Sequence, residues 1–109
     1  MAQLNQPLVP LPRITNKGRT MELWVANDTE KKFDKALLKW SIMQNSNVLL
    51  QGEENIQIKN RQADKISQVD LTKLPESAEV IDVVVKLFDD EGTLLSHYRQ
   101  EIYLTAFKK

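Results

Sequence analysis

The stretch Glu79-Val-Ile-Asp-Val-Val-Val-Lys-Leu-Phe88 decides the fold. Ile81, Val83, Val85 and Leu87 recur at a period of two, and Val80, Val84 and Phe88 take alternate positions. β-Branched residues at that period specify a strand, and apolar side chains in both sets predict a central strand covered on both sides. Asp89-Asp90-Glu91-Gly92 follows as a hairpin turn, with glycine for the left-handed position. The last strand then runs from Thr93 to about Ala106, with Leu94, Tyr98, Ile102 and Leu104 in one register.

Upstream, Asp70-Leu-Thr-Lys-Leu-Pro75 reads as a single helical turn capped by Asp70 or Thr72 and pinned to the core by Leu74. Asp64–Leu71 carries Ile66, Val69 and Leu71 at a spacing that slips by one residue, which predicts a bulge. Ala36–Gln44 places Ala36, Leu38, Trp40 and Ile42 on one face. Asn45-Ser46-Asn47 turns the chain into Val48–Gln51, and Gly52 is expected to turn it again into Glu54–Lys59, with Ile56 and Ile58 inward. Met21–Asn27 alternates through Leu23 and Val25 and ends at Asn27-Asp28-Thr29. These seven segments predict an all-β, seven-stranded antiparallel immunoglobulin-like β-sandwich over residues 20–109.

Residues 1–19 form an extended arm, either an interdomain linker or an edge strand, because Pro7, Pro10 and Pro12 remove backbone donors and fix φ. A polyproline ligand is disfavoured: Arg13 is one place off the usual spacing, and Leu8, Val9, Leu11 and Ile14 suit packing against a neighbour. The abrupt end at Phe107-Lys108-Lys109 reads as an excised piece.

Composition narrows the function classes. A chain of 109 residues, 41% hydrophobic and 28% charged, closes one core and has no room for a barrel enzyme. Fifteen basic residues balance fifteen acidic ones along the chain, so neither nucleic acid nor a membrane is an expected partner. With no cysteine there is no disulfide, thiolate nucleophile or cysteine-based zinc site, and no cofactor is expected. Neither a signal peptide nor a spanning apolar run is present in the sequence.

Catalytic candidates are few. His97 is the only histidine, and its neighbour Ser96 points to the opposite face of a strand, so the two cannot form a nucleophile and base. Asp89, Asp90 and Glu91 sit on a hairpin tip, without the burial or opposition that glycosidic acid and base work requires, and without EF-hand spacing for calcium. Trp40 shares its face with Leu38 and Ile42 and reads as core. Trp24 lies opposite Leu23 and Val25 and is the one candidate contact residue, favoured for an interdomain interface over sugar stacking. Asn27-Asp28-Thr29 also matches the N-glycosylation triplet, although it coincides with a plain turn.

The string Glu22-Leu-Trp-Val-Ala-Asn-Asp-Thr29, followed by Val69-Asp70-Leu71, Leu74 and Val83 through Gly92-Thr-Leu-Leu95, resembles a known set. It is similar to the immunoglobulin-like domains that follow the catalytic barrel in β-mannosidase-like members of glycoside hydrolase family 2. The corresponding residues are Val25, Asn27 and Asp28, then Asp89, Asp90, Gly92, Leu94, Leu95 and Ser96, and finally Tyr103 and Leu104, across roughly residues 20–105. The resemblance implies a structural accessory domain of a secreted or periplasmic glycosidase, with other domains of that enzyme as its partners. The catalytic glutamates of that family lie in the barrel, so no catalytic residue carries over. The alternatives are a carbohydrate-binding module, or a free-standing interaction domain that binds peptide strands at a sheet edge.

Overall fold

The computed structural model describes residues 8–75 and 77–106; Pro7 of the arm and the terminal Phe107-Lys108-Lys109 lie outside the described residues. Seven strands run in chain order: β1 (Leu8–Thr15), β2 (Thr20–Asn27), β3 (Phe33–Gln44), β4 (Asn47–Ile58), β5 (Gln62–Asp70), β6 (Val80–Phe88) and β7 (Leu94–Tyr103). They form two antiparallel sheets, β1-β2-β5 and β4-β3-β6-β7. This is an immunoglobulin-like sandwich. No helix among the described residues is long and apolar enough to cross a membrane.

The core sits where the alternation points. Met21, Leu23 and Val25 from β2 face Leu38 and Ile42 from β3 and Ile81, Val83, Val85 and Leu87 from β6, and all are buried. β6 departs from expectation on its other side. The second sheet covers only the inner face, so Val80, Val84 and Phe88 lie half-buried at the outer surface. Lys39 partly covers Phe88, its Nζ standing 5.5 Å from the ring centroid.

Of the two roles open to the proline-rich segment, residues 8–15 take that of an edge strand, pairing along the whole of β2 from Leu8↔Asn27 to Thr15↔Thr20. Pro10 and Pro12 are tolerated there because an edge strand owes hydrogen bonds to one neighbour only. The predicted bulge lies in β5: Leu23 pairs Ser67 and Trp24 pairs Lys65, which leaves Ile66 as the extra residue, packed against the core. A second bulge was not anticipated. Leu87 pairs Ser96 while Phe88 pairs Leu94, so Leu95 is the extra residue that packs on the core and Leu94 stands 47% exposed. The strand also stops at Tyr103, and Leu104–Ala106 forms a short 3₁₀ turn with Leu104 buried.

The turns follow their side-chain chemistry. Asn45 and Ser46 both take positive φ, 50° and 70°, between the paired residues Gln44 and Asn47, as a tight two-residue hairpin requires. Gly92 does the same at 85°. Asp70 caps the 3₁₀ turn Leu71–Lys73, its carboxylate accepting from the Thr72 N–H at 3.0 Å and the Thr72 hydroxyl at 2.6 Å. These bonds hold the Asp70 carboxyl below its ordinary pKa.

Gly52 does not turn the chain. It lies inside the single twelve-residue strand β4, paired with Trp40 of β3. The indole lies across it so closely that a Cβ at residue 52 would fall 2.8 Å from Trp40 Cζ2. A glycine within a strand marks either a bulge or a close approach, and here it is the approach of a side chain from the neighbouring strand.

Candidate functional site

The outer face of β1-β2-β5 carries Trp24. Its register places Leu11 directly across from Trp24, Val9 across from Ala26, and Ala26 in turn across from Ala63 of β5. Paired residues project from the same side of a sheet, so these five side chains form one apolar strip with the indole at its centre. Leu11 is 38% exposed, and Trp24, Val9 and Ala26 are half-buried. Arg13, Glu22 and Lys65 border the strip.

Trp24 is held in place by this border. Its Nε1 donates to Glu22 Oε1 at 2.9 Å, and Lys65 Nζ stands 3.5 Å from Glu22 Oε2. The indole hydrogen bond, helped by Lys65 and Arg13, lowers the Glu22 pKa below its ordinary value despite partial desolvation. Because the folded pKa is depressed, this stabilisation is present above the ordinary carboxylate range and is lost as pH falls through the folded value. Trp24→Phe removes the donor, and the Glu22 carboxyl should then titrate closer to its ordinary pKa, as carbon-detected NMR would show. An unmoved titration would mean that Lys65 and Arg13 set it instead.

The remaining candidates separate. Ser96 is buried and His97 exposed, on opposite faces of β7. Asp89, Asp90 and Glu91 bring one carboxylate oxygen each within 4.8 Å of one another. Asp89 Oδ1, however, accepts from the Glu91 and Thr93 N–H groups at 2.9 and 2.8 Å, so this carboxylate builds the turn. Asn27, read as the end of a strand, has a larger role. It is 2% exposed, its Nδ2 donates to the carbonyls of Lys31 and Lys59, and its Oδ1 accepts from the Thr29 N–H and hydroxyl. In the folded domain this nitrogen is committed to two carbonyls, and a glycan on it is incompatible with that geometry.

The family model described as the mannosidase Ig/CBM-like domain matches residues 19–108. The chain belongs to this family. Solved structures share the fold of the mannosidase Ig/CBM-like domain at low identity. An exo-chitosanase from Amycolatopsis orientalis superposes with a TM-score of 0.64 at 13% identity, over 91% of this chain and 11% of that one. A putative β-galactosidase from Bacteroides fragilis gives 0.55 at 14%, over 90% and 16%. β-Glucuronidase 2 of Bacteroides uniformis gives 0.50 at 19%, over 89% and 13%. The chain thus spans about a tenth to a sixth of the length of these enzymes. No curated protein matches the sequence.

For the mannosidase Ig/CBM-like domain, the Val25-x-Asn27-Asp28 string that carried the resemblance gains a physical reason. Asn27 ties the β2–β3 connection to Lys59, at the start of the β4–β5 turn. The Arg61 N–H reinforces the same junction by donating to the Thr29 carbonyl at 3.2 Å.

Proposed function

We propose that this chain is a non-catalytic packing domain of a larger β-mannosidase-like glycosidase of glycoside hydrolase family 2, docked through the outer face of β1-β2-β5. The observation that supports this reading is the apolar strip of Val9, Leu11, Trp24, Ala26 and Ala63. The outer face of the other sheet interleaves its apolar residues Val84 and Phe88 with Lys39, Glu53, Lys86, His97 and Arg99 on paired or neighbouring positions and carries no tryptophan. A domain interface favours the face with an aromatic anchor and a polar rim, and Trp24 with Arg13, Glu22 and Lys65 has that composition.

The experiment has two arms. The isolated chain should unfold cooperatively and hydrolyse no aryl glycoside; turnover by the pure protein would overturn the non-catalytic role. Leu11→Thr combined with Trp24→Thr keeps strand-compatible side chains and adds no charge, so the isolated chain should stay folded, at a cost limited to the half-buried indole and its bond to Glu22, since neither residue belongs to the buried core. In the full-length enzyme the same pair should split off a separate, earlier calorimetric transition. A single unchanged transition there would remove this face from the docking role.

A further inference from the structure

The outer face of β4-β3-β6-β7 has an order along its strands. The outward residues of β6 are Val80, Asp82, Val84, Lys86 and Phe88, which run apolar, acidic, apolar, basic, apolar about Val84. Neighbouring strands extend each position sideways into a row. Lys86 pairs with Lys39 of β3, and Asp82 pairs with Glu101 of β7. At the two ends, Phe88 pairs with Leu37 and Leu94, and Val80 pairs with Tyr103.

Each charged row sets like charges directly opposite one another, which is unfavourable in the chain alone. Compensation within the chain is partial. Arg99 reaches Asp82 at 3.4 Å, whereas Lys86 forms no ion pair among the described residues and Lys39 rests over the Phe88 ring. Nor do the rows neutralise each other: Lys86 and Asp82 stand four residues apart on a strand, about 13 Å, beyond the ~8 Å screening length at physiological salt. A separate observation concerns the apolar positions. Of the four large hydrophobic residues that stand exposed among the described residues, Val48, Leu94 and Tyr103 are on this face, each about half exposed; only Leu11 is elsewhere.

We propose that this face binds a second copy of the chain, sheet against sheet, about a two-fold axis that crosses the strands at Val84. Rotation about that axis reverses the strand direction and keeps each strand over its counterpart, so a residue two places beyond Val84 meets the one two places before it. Lys86 of each copy then meets Asp82 of the other, and His97 meets Glu101. Phe88 meets Val80, and Leu94 meets Tyr103, so every row finds a row of complementary character. Arg99 alone meets its own counterpart, and its bond to Asp82 turns it toward the acidic row. A partner of one charge sign would satisfy one row and oppose the other, which is the reason for preferring a copy of the same chain.

Size sets the strength. A face four strands wide and nine residues long covers about 600 Å² per copy, or about 1,200 Å² in all, at the lower limit for a stable interface. The dimer should therefore be weak, with a dissociation constant on the order of 100 μM. Its face is opposite the Trp24 strip, and its formation does not depend on the docking role.

Sedimentation equilibrium of the chain from about 10 μM to about 1 mM should show a monomer passing to a dimer, weakened several-fold when salt is raised from about 50 to about 500 mM. Lys86→Glu and Asp82→Lys should each weaken self-association by about tenfold or more, because either change sets two like charges against each other across the axis. An equimolar mixture of these two variants should recover the dimer, since every crossed pair is then opposite in sign. Recovery also shows that both variants are folded. Leu11→Thr with Trp24→Thr should leave association unchanged. A monomer at about 1 mM would overturn the proposal. So would undiminished dimers of the single variants, a mixture that stays monomeric, or loss of the dimer through the Trp24 face.

Discussion

Asn27→Ala should destabilise the domain by roughly 2–4 kcal/mol, among the larger costs of any single polar substitution in it. The side chain is buried and fully used: two donors reach Lys31 and Lys59 carbonyls at 2.8 and 3.1 Å, and its oxygen accepts twice from Thr29. Truncation removes bonds to two connections at once and leaves a gap at a buried position, while water can reach part of what is lost at the exposed Lys31 and Lys59, which holds the cost to the lower part of that range. For a domain of this size the melting temperature should fall by on the order of 10–20 °C. Asn27→Asp separates the two halves of the effect, because it keeps the acceptor for Thr29 but sets a carboxylate against two carbonyl oxygens. It should be at least as damaging as alanine at neutral pH and recover partly in acid. Urea denaturation of the three proteins measures this, and a loss below about 0.5 kcal/mol for both variants would show that the junction is held by the backbone pairing of Arg61 and Thr29 alone.

Gly52→Ala is the second large effect, and its cause lies in another residue. Alanine is ordinarily the better strand and helix residue of the two, so an unconstrained site would tolerate or favour the change. Here the new methyl would sit 2.8 Å from Trp40 Cζ2 and 2.9 Å from Cε2, inside any real contact, and the indole must be displaced from the core it packs against. Overpacking of this kind costs about 1–3 kcal/mol, with valine at the upper end. The decisive measurement is a double-mutant cycle with Trp40→Leu. Once the indole is gone the methyl has room, so the two changes should be coupled by more than about 1 kcal/mol. Additive costs would mean that the strand needs glycine for its backbone rather than for Trp40.

Much of the sandwich was legible along the chain because its determinants are local. The alternation in β2, β3 and β6 marks which side chains enter the core, and the structure buries Leu23, Leu38, Ile42, Val83 and Val85 accordingly. The one-residue slip in Asp64–Leu71 is the bulge at Ile66, the Asp70 cap sits where an acceptor precedes Thr72, and Gly92 takes the positive φ that the hairpin requires. Trp24 was legible as an outward residue, but its partners Leu11 and Ala63 were not, since they are brought to it by pairing with strands on either side.

The misreadings concern contacts across strands. Gly52 among Gln51, Glu53 and Glu54 has the chemistry of a turn, and nothing within that segment announces Trp40, twelve positions upstream in the chain. Leu94 and Leu95 are alike in sequence, and the pairing of Phe88 determines which of them reaches the core. Asn27 as a turn residue was visible, while its hold on Lys59 spans 32 positions. By itself, then, the sequence determined the strand character of β2, β3, β5, β6 and β7 and the turns at Asn45-Ser46, Asp70 and Gly92, because periodicity and φ preference act between near neighbours. Only the tertiary structure decided what surrounds each aromatic, Leu11 and Glu22 beside Trp24 and Gly52 against Trp40. A strand's own sequence sets the direction of its side chains, but whether they are covered depends on the residue the next strand places alongside.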